Sequence, residues 1–246
     1  MNLSAQITTT ITSDDYIFGF ADLDGLLIGK YASYRYGISI VRKLDPSIID
    51  GIITAGAPTP EYYCHYNETN EEIASTVQKV AGILSSLGID NFPIQPTAHD
   101  NEVDKTMNDT LSFGFSHKMC ATRSGLGWIG KTDLFISETY GPRVRLSSIL
   151  TNHPLPQLRP PIDKSRCGTC SLCVTTCPAQ AATGALWNAA TPRESFYDAQ
   201  RCREKCRALT RKHIGTDESL CGICVAVCPA GRKARRDMRS HADSVE

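Results

Sequence analysis

The sequence predicts an α+β protein, with a mixed α/β region over residues 1–153 and a compact cysteine-rich module over 154–246. Three observations predict it. Only Cys64 and Cys120 of the eleven cysteines fall before residue 151, and nine follow. The joint, TNHPLPQLRPPIDKSR, carries Pro154, Pro156, Pro160 and Pro161, which interrupt regular structure. Before the joint, helical and strand-like periodicities mix without a repeating βαβ order.

In chain order, DYIFGFADL (15–23) reads as a strand. A helix is expected over 70–87, where Ile73, Val77, Val80, Ala81, Leu84 and Leu87 share one face. Thr69 and Glu72 would form its capping box and Gly88 its stop. Residues 104–122 read as helical. TDLFIS (132–137), the turn ETYGP and RVRLSSIL (143–150) read as a hairpin. In its second strand Val144, Leu146, Ser148 and Leu150 alternate with Arg143, Arg145, Ser147 and Ile149, predicting one mainly buried face. Cys64 and Cys120 are expected to be ordinary buried thiols.

The composition, 41% hydrophobic and 21% charged over 246 residues, suits a globular core. Net charge is zero, yet residues 201–239 hold eleven Lys/Arg against four Asp/Glu. That basic end is either a solvated face or a dock for an acidic electron donor or a nucleic-acid backbone. The start, MNLSAQITTTITSDD, lacks the pattern of a signal peptide. No window approaches ~18 uninterrupted apolar residues, so no membrane span is expected. With the cysteines clustered, this points to a cytoplasmic metal-binding protein rather than a secreted disulfide scaffold.

The first cysteine phrase, CGTCSLCVTTCP, spaces Cys167, Cys170, Cys173 and Cys177 as C-x2-C-x2-C-x3-C-P. In this bacterial-ferredoxin pattern three thiolates hold one four-iron cluster and the fourth ligates the other. The second phrase, CGICVAVCP, supplies Cys221, Cys224 and Cys228. Crossing assigns Cys167, Cys170, Cys173 and Cys228 to the first [4Fe-4S] cluster. Cys177, Cys221 and Cys224 hold the second and need one more ligand, Cys202 or Cys206. Zinc is the competing reading, but its sites usually show two separated CxxC pairs.

The N-terminal region contains RSGLGWIGKTDLF, with Gly125, Gly127 and Gly130 spaced as GxGxxG. A dinucleotide fold requires a strand before this loop and a helix after it. Here a predicted helix precedes and a strand follows, which excludes that reading. The loop is either a tight structural turn with Trp128 in the core or a backbone cradle for a flat cofactor.

Together, SGLGWIGKTDLFISETYGPRVRLSSILTNHPL, CGTCSLCVTTCPAQA, DAQRC and CGICVAVCP resemble the epoxyqueuosine reductase family, covering residues 115–230 well and 60–100 loosely. The resemblance implies a nitroreductase-like, cobalamin-reductase-like α/β sandwich with a C-terminal ferredoxin-like two-cluster module. It implies two [4Fe-4S] clusters and cobalamin; apart from the resemblance, a flavin in the large domain is the alternative cofactor. Gly125, Leu126, Gly127, Trp128, Ile129, Gly130, Lys131 and His117 would contact the cofactor, with Lys118 a further candidate. The family's DA-x-x-C motif matches Asp198 to Cys202 and favours Cys202 over Cys206 as the eighth ligand. The chain departs from the family in placing Gln95 where a catalytic aspartate stands, which leaves Tyr63, His65, His99 and Asp100 as candidate proton donors. The chain ends at Glu246, so a short form without the family's C-terminal helical-repeat module is expected, and with it an open question about tRNA. The implied activity is an oxidoreductase that passes electrons from flavodoxin or ferredoxin to a corrinoid and then to an electrophilic substrate. The alternative is an electron-transfer protein that reductively activates a partner corrinoid protein.

Overall fold

The computed structural model describes residues 3–11, 13–97 and 105–230, with backbone alone for 105 and 106. The chain divides into two compact units, each assembled from several segments. One comprises Met1–Lys43, Glu68–Leu126 and Arg145–Ile162, and the other Leu44–Asn67, Gly127–Val144 and Asp163–Glu246.

The first unit is built on a four-stranded sheet with strand order β1-β2-β6-β3, from β1 (Tyr16–Asp22), β2 (Tyr36–Lys43), β3 (Asn91–Ile94) and β6 (Val144–Thr151). β1 runs antiparallel to β2, and β3 antiparallel to β6 with Pro93 opposite Ile149. Proline donates no ladder hydrogen bond, and β3 is an edge strand where that is tolerated. Phe20, Ile38, Ile40 and Ile149 meet Ile7 of α1 (Leu3–Thr10) and Ile73, Val77, Val80, Ala81 and Leu84 of α3 (Pro60–Ser86). Each of these side chains larger than alanine contributes about 1.5–3 kcal/mol by leaving water. Ala21, Leu23 and Leu150 form a second cluster with Phe115 and Cys120, the latter on α5 (His117–Arg123).

Several expectations change. The long helix starts at Pro60, ten residues before the predicted start, because proline suits the first helical turn and nothing in EYYCHYNETN breaks a helix. Thr69 therefore lies inside it, buried, and does not cap it. Leu87 lies beyond its end and is 46% exposed. The helical stretch at 104–122 is two helices, α4 (Lys105–Thr110) and α5, separated at Leu111, whose φ is +50°; Ser116 caps α5 at Met119 N–H. Residue 104 lies outside the described residues. The expected hairpin does not form. β5 (Phe135–Ser137) pairs with β4 (Gly127–Ile129) in a separate two-stranded sheet, while β6 joins the larger one. From Ser147 to Thr151, β6 is buried on both faces, so alternation misjudged it. Its serines are satisfied: Ser147 Oγ donates to Ile94 O at 2.7 Å.

In the second unit, α2 (Pro46–Ala55), the first turns of α3 and α8 (Ile223–Val227) share a core of Leu44, Ile49, Ile52, Tyr62, Leu220, Val225 and Ala226. Asp45 caps α2 by accepting from Ser47 N–H at 2.7 Å. The remaining helices are α6 (Leu172–Thr175) and α7 (Ala199–His213). Among the described residues, no helix is long and apolar enough to cross a membrane.

Candidate metal centre

Both cysteine phrases fold the same way, as a glycine turn, a short helix and a Cys-Pro exit. Gly168 (φ +56°) precedes α6 and Cys177-Pro178, while Gly222 (φ +80°) precedes α8 and Cys228-Pro229. These φ values are open to glycine at little steric cost. At Gly222 space is also short: a Cβ would lie 2.6 Å from Ile52 Cδ1 and from the Tyr62 ring. Tyr62 thus shapes the turn that presents Cys221 and Cys224.

The thiols converge. Burial pushes the Cys224 thiol up, reinforced by the charges of Cys221, Cys202, Cys173 and Cys177. Cys173 is raised by burial, helped by Cys167 and Cys170, while the Thr132 hydroxyl donates to it. Cys202 Sγ lies 3.8 Å from Cys206 Sγ, and the Cys206 thiol also reaches Cys221. Donation from Cys206 lowers Cys202 and Cys221 and holds Cys206 itself in the protonated form. Tyr197 gives Cys202 a further hydrogen bond. So many sulfurs cannot ionise together unless positive charge lies among them, as iron would supply. Among the described residues, no three His, Cys, Asp or Glu side chains are grouped to hold a single metal ion. The donor set, soft thiolates from three segments, fits iron–sulfur chemistry.

α7 positions Cys202 and Cys206 one turn apart. Asp198, the acid of DAQRC, caps this helix by accepting from Arg201 N–H at 2.9 Å. Its place in the motif thus has a physical cause, since it starts the helix that carries Cys202. Cys206 is 7% exposed, and Cys202 is half-buried.

The glycines of GLGWIGK are explained by the chain's own atoms. A Cβ on Gly125 would meet Pro160 O at 2.5 Å, one on Gly127 would meet Ile136 O at 2.1 Å, and one on Gly130 would lie 3.1 Å from Ile136 and 3.6 Å from Cys167 Sγ. Gly127 and Ile129 are strand residues of β4, and Leu126 and Ile129 are buried. Lys131 and Thr132, in the turn between β4 and β5, are buried, and Thr132 reaches Cys173. Trp128 Nε1 is buried without a hydrogen-bond partner, and Arg166 sits over the indole at 5.8 Å while pairing with Glu138.

The proton-donor candidates are dispersed. His65 Nε2 accepts from Asp45 N–H at 2.9 Å, and Tyr63 packs at the edge of the Leu44–Tyr62 core. His99 and Asp100 lie outside the described residues. His117 belongs to the first unit, where Nε2 contacts Gln95 O at 2.8 Å and Nδ1 contacts Ser148 Oγ at 3.0 Å. Donation to the carbonyl fixes Nε2 as the protonated nitrogen, so Ser148 donates to Nδ1. Desolvation lowers this imidazole to about 4. Lys118 follows it on α5, half-buried. Arg145 holds the same loop, with Nε donating to Asn70 at 2.7 Å and Nη2 to Thr97 Oγ1 at 3.1 Å. Of the two early thiols, Cys120 is buried and raised to about 12 by burial, whereas Cys64 is exposed because its side of α3 faces water.

Arg143, expected on the lesser face of a strand, is a buried pin in the second unit. It donates to Asp50 Oδ1 at 2.7 Å, Pro46 O at 3.2 Å and Ala226 O at 3.2 Å, tying α2 to the end of the helix that carries Cys224. No motif signalled it.

Residues 166–231 match the model of the 4Fe-4S double cluster binding domain. The epoxyqueuosine reductase of Pseudomonas aeruginosa is 32% identical over 126 residues, covering 48% of this chain and 32% of that protein. That of Bacillus anthracis is 31% identical over 139 residues, covering 52% and 32%. The chain therefore spans about a third of the length of these curated relatives. Among solved structures, an epoxyqueuosine reductase with an epoxyqueuosine-modified tRNA stem loop superposes with TM-score 0.56 at 19% identity, covering 94% of this chain and 66% of that one. A catabolic reductive dehalogenase gives 0.61 at 17%, covering 89% and 31%. Over residues 166–231 the chain matches a double 4Fe-4S cluster domain, and over about half its length it is similar to epoxyqueuosine reductases.

Proposed function

We propose that this protein is an iron–sulfur reductase. It holds one [4Fe-4S] cluster through Cys167, Cys170, Cys173 and Cys228, and a second through Cys177, Cys202, Cys221 and Cys224. The observation that supports the reading is the approach of Cys221, Cys202, Cys173 and Cys177 to Cys224, which brings both cysteine phrases and α7 to one place, as phrase-crossing requires. Its substrate is an electrophile of the epoxyqueuosine type, and its electrons come from a low-potential flavodoxin or ferredoxin.

A corrinoid fits the residues at the β4–β5 turn in part. The three glycines face the chain's own atoms, so contact falls to Trp128, whose buried Nε1–H lacks an acceptor, and to the buried Lys131. A corrin amide carbonyl would satisfy that donor. When bound, the clusters relay single electrons and the corrinoid supplies a reducing cobalt centre. Trp128 and Lys131 would orient the corrinoid's side groups. Thr132 and Tyr197 donate hydrogen bonds to cluster thiolates.

A second reading, reductive activation of a partner corrinoid protein, is favoured by Gln95, which offers no acid where the family carries one and whose carbonyl is engaged by His117. The deciding assay supplies reconstituted protein with cobalamin, a low-potential reductant and epoxyqueuosine-containing tRNA. Turnover supports the enzyme. No turnover, together with reduction of a corrinoid held on a second protein, supports the activator.

A further inference from the structure

We propose that Cys206 and Tyr197 are hydrogen-bond donors to the ligand sulfurs of the second cluster and set its reduction potential. This rests on the proposed placement of that cluster among Cys177, Cys202, Cys221 and Cys224. The site holds one more thiol than a four-iron cube takes, and Cys206 is the surplus one. Its sulfur is 3.8 Å from Cys202 Sγ and within hydrogen-bond reach of Cys221, so it lies between two ligands. Cys202 rather than Cys206 is taken as the ligand because it completes the DAQRC motif, whose Asp198 caps the helix that presents it. Cys202 also receives the Tyr197 hydroxyl, from the residue just before the cap of α7.

A thiol is a weak donor, and a ligand thiolate is a charged acceptor that strengthens the bond. Adding an electron to the cluster increases negative charge on its sulfurs. Donors aimed at those sulfurs stabilise the reduced state more than the oxidised one and raise the potential. Among the first cluster's proposed ligands, Cys173 has the Thr132 hydroxyl, so the first cluster is an internal control.

The test is redox titration by electron paramagnetic resonance on the reconstituted full chain, comparing wild type, C206A, C206S and Y197F, with iron counted in each. All should keep wild-type iron. C206A and Y197F should lower the reduced-to-oxidised ratio of the second cluster at a fixed potential roughly three- to tenfold, tenfold being about 59 mV for one electron. C206S, which keeps a donor, should recover part of the shift, and the first cluster should not move. Unmoved midpoints in C206A and Y197F with iron retained would overturn the proposal. So would loss of about four irons in C206A with retention in C202S, which makes Cys206 the ligand. Absence of iron from the wild type is a different failure, that of the cluster reading itself.

Discussion

Replacing Arg143 tests whether the second unit positions its cysteines through a buried charge. The side chain is 2% exposed and makes three hydrogen bonds, whereas Asp50 is 35% exposed. Asp50 can return to water once Arg143 is gone, so loss of the ion pair itself should cost under about 1 kcal/mol. Ala226 O cannot do the same. It is a helix-terminal carbonyl, and losing its charged donor costs about 1.5–3 kcal/mol. With the packing lost from a buried side chain, Arg143→Ala should reach about 3–5 kcal/mol in total, from the orphaned carbonyl and the cavity together. Thermal unfolding followed by circular dichroism should fall by on the order of 10 °C. Arg143→Lys, which keeps the charge on one nitrogen, should fall between wild type and alanine. Iron retention should fall in parallel, because the same carbonyl ends the helix bearing Cys224. A melt within about 1 kcal/mol of wild type with full iron would refute the reasoning.

Gly127→Ala forces a Cβ against Ile136 O and should cost about 2–3 kcal/mol, whereas Gly51→Ala, mid-helix with nothing within 4 Å, should stabilise by about 0.5–1 kcal/mol in the same melts. His117 has its pKa lowered from 6.5 to about 4, so its stabilisation is fully present above about 6.5 and is lost as pH falls towards 4. On the order of 2–3 kcal/mol is at stake, and His117→Gln should flatten that part of the stability–pH curve measured by urea unfolding. Trp128→Phe removes a donor that has no partner, so stability should hold while cobalamin binding, followed by fluorescence quenching, weakens roughly five- to tenfold.

The double-cluster module was legible because ligation demands fixed spacing and repeats it in two phrases. The α3 core face was legible because Ile73, Val77, Val80, Ala81 and Leu84 must share a stripe. The hairpin was misread because TDLFIS and RVRLSSIL are adjacent in sequence, and local pattern cannot say that β6 enters an interior position in another sheet. Burial on both faces there is carried by serines that bond Ile94 O and His117, and a hydrophobicity pattern does not see that. The glycines of GLGWIGK were visible, but their neighbours Pro160, Ile136 and Cys167 come from distant segments. Arg143 and Tyr197 had no periodic or motif signal, and their partners exist only once the chain is folded.

The most direct test of the central claim is iron, acid-labile sulfide and zinc content of the anaerobically reconstituted chain, read beside C202S. The account predicts about eight irons with matching sulfide in the wild type and loss of about four in C202S. Zinc without sulfide, or a single cluster unaffected by C202S, would contradict it.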